Sequence, residues 1–409
     1  MPHDRLDATL ADHVDGLRQA GTAKGAEAVV VGAHAPDGER GPRFELAGTG
    51  DRQFIRMNSN SYLGMGMRGD VITAEEVTVA RFGAGPGAVR FISGTYETHI
   101  QLERTLAAFH GRDAGMIFSA AYAAIMGTLV PLVTEQTVLI SDELNHNCII
   151  NAMRLSRPAA KTVYPHLDYA ALEKAIERAK GTATRAVVVT DGIFSMRGDH
   201  AEVDRIMDIA TRHDDAFEDN CIVVVDDSHG VGAFGATGRG TEEYCDSLQV
   251  DVLVGTLGKA FGVNGGYVVG SDALVDFLRE SAPMYIYSNP ITPAEAAAAL
   301  KAVEVLDSPE GLRLLENLRV LTQRFQQGLI DLGLETIPGD HPVVPLMLRD
   351  TARTHTTVKH LYENGVLATG LAFPVVPRGD EEIRFQVNAD HTAEDIDTVL
   401  AILAARPSA

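Results

Sequence analysis

Lys259 lies in a glycine-rich turn, "GTLGKAFGVNGG" (255–266), directly after a short apolar run. A lysine crowded in such a turn loses hydration, so the pKa of its ammonium falls and the neutral amine can attack an aldehyde. A surface lysine beside a glycine turn is the alternative that the turn alone leaves open. A nucleotide P-loop is disfavoured, because it needs glycine at 253 and Ser or Thr at 260, where the chain has Leu253 and Ala260.

A second polar cluster, "VVVDDSHG" (223–230), places Asp226 and Asp227 at the end of an apolar run and His229 two residues further on. Three interpretations remain open for it: a helix cap with a buried histidine, a metal site, or an aspartate that binds the pyridine nitrogen of pyridoxal phosphate (PLP). A dinucleotide-binding fingerprint on "GVGAFG" (230–235) is disfavoured, since the run has already ended in polar residues and no helix pattern follows.

These clusters belong to an alternating series of short β-branched runs and longer helical segments. The runs are "GMIFSA", "TVLISD", "AVVVTDG", "IVVVDDSHG" and "DVLVGTLGK". Such alternation predicts βαβ units around a mostly parallel sheet, covered on both faces. Most of the runs end in Asp, Ser, Thr, Gly or Lys, and ligands of open α/β sheets bind at the carboxyl ends of the strands.

The rest of the chain predicts an α/β fold with three parts. Residues 1–50 hold a helix over 5–20 and a connecting segment, residues 51–290 form a large domain, and residues 291–409 form a small α+β domain. In the last part we predict a helix over 355–364 and a final helix opened by Thr392 and Asp395 as a capping box.

Composition limits the partners. With 56 acidic and 35 basic residues, a net charge of -21 disfavours nucleic acid and anionic membranes, which require clustered Lys and Arg. The three cysteines lack paired or CxxC spacing, so we expect neither disulfides nor a structural metal, and a cytoplasmic location. No signal peptide and no membrane span are expected.

Four segments together resemble the α-oxoamine synthases, a family of fold-type-I PLP enzymes: "VVVDDSHGVGAFGATGRG", "VGTLGKAFGVNGGYVVG", "VTDGIFSMRGD" and "SDELNHNCII". The similarity extends to "NSYLG", "VRFISGTYETHIQLE", "YIYSNP" and "IRFQVNADHT". It is greatest to the branch of 2-amino-3-ketobutyrate CoA ligases (glycine C-acetyltransferases) and 8-amino-7-oxononanoate synthases. The resemblance implies PLP as the cofactor and no metal.

The resemblance also implies roles at the cofactor ring. Lys259 would be the Schiff-base lysine, and Asp226 would pair with the pyridine nitrogen. His146 would stack on the ring, while His229 and Ser195 would hold the phenolic oxygen. A core histidine for His146 and a turn serine for Ser195 are the simpler alternatives.

Further positions are implied at the phosphate and the substrate. Ala121, Tyr122 and Thr256 would bind the cofactor phosphate. Ser288 and Asn289, in "YSNP", would reach the site of a neighbouring subunit, which implies a homodimer. The substrate carboxylate would be bound by Arg384, with Asn60 beside it.

The reaction that we expect is the joining of a small amino acid, most simply glycine, to a short acyl thioester carried by CoA or a carrier protein. An aminotransferase or aldolase-like lyase is the alternative, and a noncatalytic subunit of a heteromeric synthase is a third possibility. Ser61, Ala123, Ile125 and Pro290 depart from the family pattern around the expected substrate entrance, so the substrate preference is left open.

Overall fold

The computed structural model describes residues 3–20, 22–23, 25–373 and 375–407. Its strands are β1 Val30–His34, β2 Arg43–Leu46, β3 Gln53–Arg56, β4 Ala114–Phe118, β5 Thr137–Asp142, β6 Ala160–Tyr164, β7 Arg185–Asp191, β8 Cys221–Asp226, β9 Val252–Thr256, β10 Gly266–Gly270, β11 Val343–Met347, β12 Val366–Leu367, β13 Thr369–Leu371 and β14 Glu382–Gln386. Its helices are α1 Asp4–Gln19, α2 Gly69–Phe82, α3 Glu97–Phe109, α4 Ala121–Leu132, α5 Asn147–Leu155, α6 Tyr169–Ala179, α7 Val203–His213, α8 Thr241–Tyr244, α9 Asp272–Ser281, α10 Pro283–Ile286, α11 Pro293–Leu306, α12 Pro309–Asp331, α13 Thr351–Glu363 and α14 Ala393–Ala404. Short turns of tighter or wider helix lie at Met65–Met67, Arg90–Gly94 and Asp214–Ala216.

A seven-stranded sheet with the order β4-β10-β9-β8-β7-β5-β6 forms the centre of the described chain. The pairs from β9 to β6 are parallel, and β10 runs antiparallel to both of its neighbours. All five apolar runs identified in the sequence are strands of this sheet, which confirms the predicted mostly parallel α/β architecture.

The sheet is buried on both faces because successive side chains of each strand point to opposite sides. In β7, Ala186 and Val188 join one hydrophobic core, while Val187 and Val189 join the other. One core packs against α6, α7 and α11, and the other packs against α4, α5 and α9. The polar residues at the ends of the strands therefore lie between two rigid layers.

The C-terminal part is a smaller α+β unit with an antiparallel sheet, β11-β14-β13, and helices α12, α13 and α14. The predicted capping box is present at α14, where Thr392 Oγ1 accepts from Asp395 N over 3.1 Å. Helix α13 begins at Thr351, four residues before the predicted start, because Asp350 caps it by accepting from Arg353 N.

The N-terminal and C-terminal parts meet in a separate sheet, β1-β2-β3-β12, in which β3 pairs in parallel with β12. Strand β3 belongs to the range assigned to the large domain, yet it pairs with β12 of the range assigned to the small domain. The three-part division at residues 50 and 290 therefore stays a prediction. The predicted N-terminal helix is present as α1, and none of its described residues is buried. No helix in the described ranges has the length and apolar character needed to span a bilayer.

Candidate active site

A cavity of about 250 Å³ lies at the carboxyl ends of β7, β8 and β9, against the first residues of α4 and α5. Its lining consists of Ala121, Tyr122, His146, Cys148, Asp191, Ile193, Ser195, Asp226, Ser228, His229, Thr256 and Lys259. The structure thus brings together eight of the twelve residues predicted for the site: Ala121, Tyr122, His146, Ser195, Asp226, His229, Thr256 and Lys259.

Lys259 is presented by the turn between β9 and β10. The turn is closed by hydrogen bonds from Gly262 N to Lys259 O (3.0 Å) and from Val263 N to Leu257 O (3.0 Å). Gly262 has a φ of +70°, and a Cβ there would stand 2.3 Å from Gly66 N, so the turn requires glycine. Burial lowers the pKa of Lys259 to about 8, against the opposing attraction of Asp226 and Asp191. The predicted amine of lowered pKa is therefore present.

Two aspartates face the lysine from adjacent strands. Asp226 ends β8 and Asp191 ends β7, and the two residues are partners in the parallel register. Asp226 Oδ1 accepts from Ser228 N over 3.1 Å, and Asp226 Oδ2 accepts from Cys148 Sγ over 3.4 Å. Burial, followed by repulsion from Asp226, raises the pKa of Asp191. The two carboxylates in the cavity therefore repel each other, and a cationic ring nitrogen bound beside them would reduce this repulsion.

His146 caps α5 and reaches the same cavity. Its backbone N donates to Asp191 Oδ2 over 3.0 Å, and its Nδ1 lies 2.9 Å from Cys148 Sγ. Loss of hydration, together with the charge of Lys259, lowers the pKa of His146, while Asp226 opposes the shift. The neutral imidazole is the favoured form beside the lysine.

His229 is buried on another wall of the cavity. Its Nδ1 lies 2.7 Å from the Tyr62 hydroxyl, and its backbone oxygen accepts from His341 Nε2 over 2.9 Å. Burial, followed by the positive charge of Lys259, holds the pKa of His229 well below its usual value. This histidine is accordingly a neutral hydrogen-bonding group.

The start of α4 forms an anion-binding corner. No side chain caps this helix, so the first N–H groups, at Ala121 and Tyr122, are open towards the cavity. Gly266 of β10 packs against them, and a Cβ at this glycine would stand 2.3 Å from Ala121 N. Thr256 is buried alongside and donates from Oγ1 to Gly265 O over 3.2 Å.

The other four predicted residues do not line this cavity within the chain. Arg384 lies behind Ser195 and donates from Nη1 to its backbone oxygen over 2.8 Å, and its charge contributes to lowering the pKa of Lys259. Asn60 Oδ1 lies 3.3 Å from the Tyr62 hydroxyl. Ser288 and Asn289 follow α10 near the surface, and their reach into a neighbouring subunit remains a prediction.

Four lining residues were missed from the sequence: Cys148, Asp191, Ile193 and Ser228. A signal existed for Asp191, because "VVVTD" ends in an aspartate as "VVVDD" does, on a neighbouring strand. Cys148 lies two residues after the predicted His146, and Ser228 directly precedes the predicted His229. Ile193 carries no polar signal that could have identified it.

A metal site built on Asp226, Asp227 and His229 is not formed. Asp227 points away from the cavity, where its carboxylate accepts from Thr241 N (2.7 Å) and Thr241 Oγ1 (2.6 Å). Within the described residues, the group that offers metal-ligand spacing is instead His146, Cys148 and Asp226, and all three line the lysine cavity.

The donors of the cavity fit PLP. Lys259 would be the amine for its aldehyde, Asp226 would be the carboxylate for its pyridine nitrogen, and α4 would offer N–H groups to its phosphate. Two buried oxygens, Ser228 Oγ and Asp191 Oδ1, have no hydrogen-bond partner among the described residues. Such orphaned polar atoms in a cavity wall are expected where a polar ligand binds.

Comparison with known proteins indicates the same family as the sequence motifs. The model of the family "Aminotransferase class I and II" matches residues 52–403. The 8-amino-7-oxononanoate synthase of Bacillus pumilus is 37% identical over 397 residues, covering 96% of each chain. The mitochondrial 2-amino-3-ketobutyrate coenzyme A ligase of Bos taurus is 36% identical over 395 residues, covering 96% of this chain and 90% of the bovine protein. The solved serine palmitoyltransferase of Sphingomonas wittichii has a TM-score of 0.88 at 25% identity, covering 98% of this chain and 97% of that one.

Proposed function

The chain belongs to the aminotransferase class I and II family and, within it, to the PLP-dependent α-oxoamine synthases, and on that premise we propose that it joins glycine to a short-chain acyl-CoA. One observation carries the proposal. Lys259 and Asp226 converge on a single cavity with the uncapped start of α4, so an amine, a carboxylate and an anion-binding corner surround one small ligand.

PLP, when bound, supplies an electron sink that stabilises a carbanion at the α-carbon of an amino acid. Two residues of the chain would support this chemistry. Asp226 would keep the pyridine nitrogen protonated, since an ionised carboxylate favours a cation beside it. Lys259 Nζ, with a pKa lowered to about 8, would exchange protons with the α-carbon near neutral pH.

His146 and Arg384 serve the two substrates. His146 stands at the solvent side of the cavity, where a histidine can donate to the oxygen of a thioester carbonyl as negative charge develops on it. Arg384 donates from Nη1 to the backbone oxygen of Ser195, and we propose that its remaining N–H groups bind the amino acid's carboxylate, with Asn60 as a second contact of that carboxylate.

The choice of substrates rests on the relatives. The name of the bovine relative joins coenzyme A to a four-carbon 2-amino-3-keto acid, which is glycine plus a two-carbon acyl group. The 8-amino-7-oxononanoate synthases are equally similar, so a longer acyl chain is the main competitor.

We further propose that the protein acts as a homodimer in the cytoplasm. The segment before Ser288 and Asn289 exposes Tyr287 (78%), and the turn at Arg90–Gly94 exposes Phe91 (68%) and Ile92 (67%). If a second copy covers these side chains, Ser288 and Asn289 of one copy would reach the cavity of the other. Replacing Phe91 and Ile92 by serine should yield monomers in light scattering, and an unchanged mass would contradict this interface.

The catalytic proposal is tested with a panel of amino acids and acyl-CoAs, in which thiol release is recorded for each pair. We expect release with glycine and a short acyl-CoA only when both are present, and none from Lys259→Ala. Keto-acid formation from the amino acid without thioester would instead identify an aminotransferase. Absence of turnover with every pair, despite bound PLP, would identify a noncatalytic subunit.

A further inference from the structure

The hydroxyl of Tyr62 contacts His229 from outside the cavity. Tyr62 is fully buried, and its oxygen lies 2.7 Å from His229 Nδ1. Neither the sequence motifs nor the lining of the cavity assigns a role to this tyrosine. We propose that Tyr62 is a positioning residue that fixes the protonation state of His229, so that Nε2 carries a hydrogen into the cavity.

The distances locate the tyrosine proton. Among the described residues, the Tyr62 hydroxyl has two polar neighbours within reach, His229 Nδ1 at 2.7 Å and Asn60 Oδ1 at 3.3 Å. Hydrogen bonds donated by a hydroxyl are strongest at roughly 2.5–3.0 Å, so the shorter contact, to His229, is the one that takes the proton. Tyr62 therefore donates to His229 Nδ1. A neutral imidazole that accepts at Nδ1 carries its hydrogen on Nε2.

The surrounding charges keep His229 neutral. Besides burial, the positive charges of Lys259 and Arg384 act to lower its pKa. The pKa of Tyr62 is raised by burial, so its hydroxyl keeps the proton that it donates. His229 therefore has one hydrogen to place, and Tyr62 determines which nitrogen carries it.

The backbone of His229 is held from the other side. Val343 N donates to His341 Nδ1 over 3.1 Å, so His341, whose pKa burial lowers to about 3, carries its hydrogen on Nε2. That hydrogen is donated to His229 O over 2.9 Å. Tyr62 is itself anchored by Ala389 N, which donates to its backbone oxygen over 2.7 Å. The C-terminal part of the chain thus orients His229, in the turn that follows β8 of the large sheet.

This arrangement gives His229 a defined task, which rests on the proposed role of His229 at the cofactor. Among the described residues, His229 Nε2 has no hydrogen-bond partner, and the residue lines the cavity. An Nε2 hydrogen is what an ionised phenolic oxygen requires, because that oxygen can only accept. If the hydrogen were on Nδ1, the lone pair of His229 Nε2 would face a lone pair of the phenolic oxygen, and the two would repel each other.

The experiment compares Tyr62→Phe with Tyr267→Phe in the full-length protein. Tyr267 makes a second fully buried tyrosine–histidine contact, 2.9 Å from His110 Nε2, and it does not line the cavity. Both changes remove one hydroxyl and keep the ring. The first measurement is the ¹⁵N spectrum of labelled histidine in the cofactor-free protein, with the His229 signals identified by loss in His229→Gln. The second is the dissociation constant for PLP.

We expect His229 in the wild type to carry its hydrogen on Nε2, and Tyr62→Phe to move it partly or wholly to Nδ1. Binding of PLP should weaken about tenfold in Tyr62→Phe, as for loss of a hydrogen bond to a charged group, and remain unchanged in Tyr267→Phe. More of the bound cofactor should then absorb in the near ultraviolet, with its phenolic proton retained. A wild-type His229 protonated at Nδ1, or equal binding by both variants, would overturn the proposal, whether or not acyl transfer is observed.

Discussion

The role of Asp226 can be tested by Asp226→Asn, which keeps the shape of the side chain and removes its charge. Two effects follow from the structure. The cofactor loses a charge-assisted contact worth about 1.5–3 kcal/mol, which corresponds to a PLP dissociation constant about 10- to 150-fold weaker. Lys259 loses the neighbouring charge that most strongly raises its pKa, so that pKa should fall further below about 8.

The assay is titration of the cofactor-free variant with PLP across a pH series, followed by absorbance. The matched control is Asp227→Asn, because Asp227 is one residue away and its carboxylate faces Thr241 instead of the cavity. We expect the control to lower the melting temperature and leave PLP affinity unchanged. Tight binding by Asp226→Asn, with an unshifted pH midpoint for Lys259, would refute the assignment of Asp226 to the pyridine nitrogen.

Three other changes test the rest of the site. Gly266→Ala forces a Cβ to within 2.3 Å of Ala121 N and should weaken PLP binding at least tenfold. Gly69→Ala is the control, because its Cβ meets open space and should leave the affinity unchanged. Equal affinities of the two variants would contradict the anion-binding corner. PLP attachment to wild-type Lys259 should speed up about tenfold per pH unit and level off near pH 8, since only the neutral amine reacts; a midpoint near the ordinary lysine value of 10.5 would contradict the lowered pKa. Arg384→Lys should raise the KM for the amino acid about 10- to 100-fold, with a smaller change in kcat, because two-point binding of the carboxylate is lost; an unchanged KM would remove Arg384 from the substrate site.

The central sheet could be predicted from the sequence because strands that are buried on both faces consist of continuous apolar, β-branched residues. The same runs indicated the site, since their polar ends meet at one edge of a parallel sheet. The pattern could not separate the three aspartates that each end a strand of this sheet. Asp191 and Asp226 face the cavity, whereas Asp142 at the end of β5 accepts from Leu144 N and Leu167 N and contacts His166.

The contacts that orient the site come from distant segments, and a single sequence contains no signal for them. Tyr62 and His341 reach His229 across 167 and 112 residues. Their pairing depends on how the C-terminal part packs against the large sheet, which strand patterns do not specify. Recognition of the family motifs predicted the cofactor residues, and the structure added the residues that contact them.

Carbon–carbon bond formation is the central claim, and isotope labelling tests it directly. Glycine labelled with ¹³C at C2 and acetyl-CoA labelled at the carbonyl carbon are incubated with the enzyme, and the product is observed by ¹³C NMR. We predict a one-bond coupling between the two labels, formed in step with thiol release, and its persistence if carbon dioxide is lost. Thiol release with the two labels in separate molecules would contradict carbon–carbon bond formation.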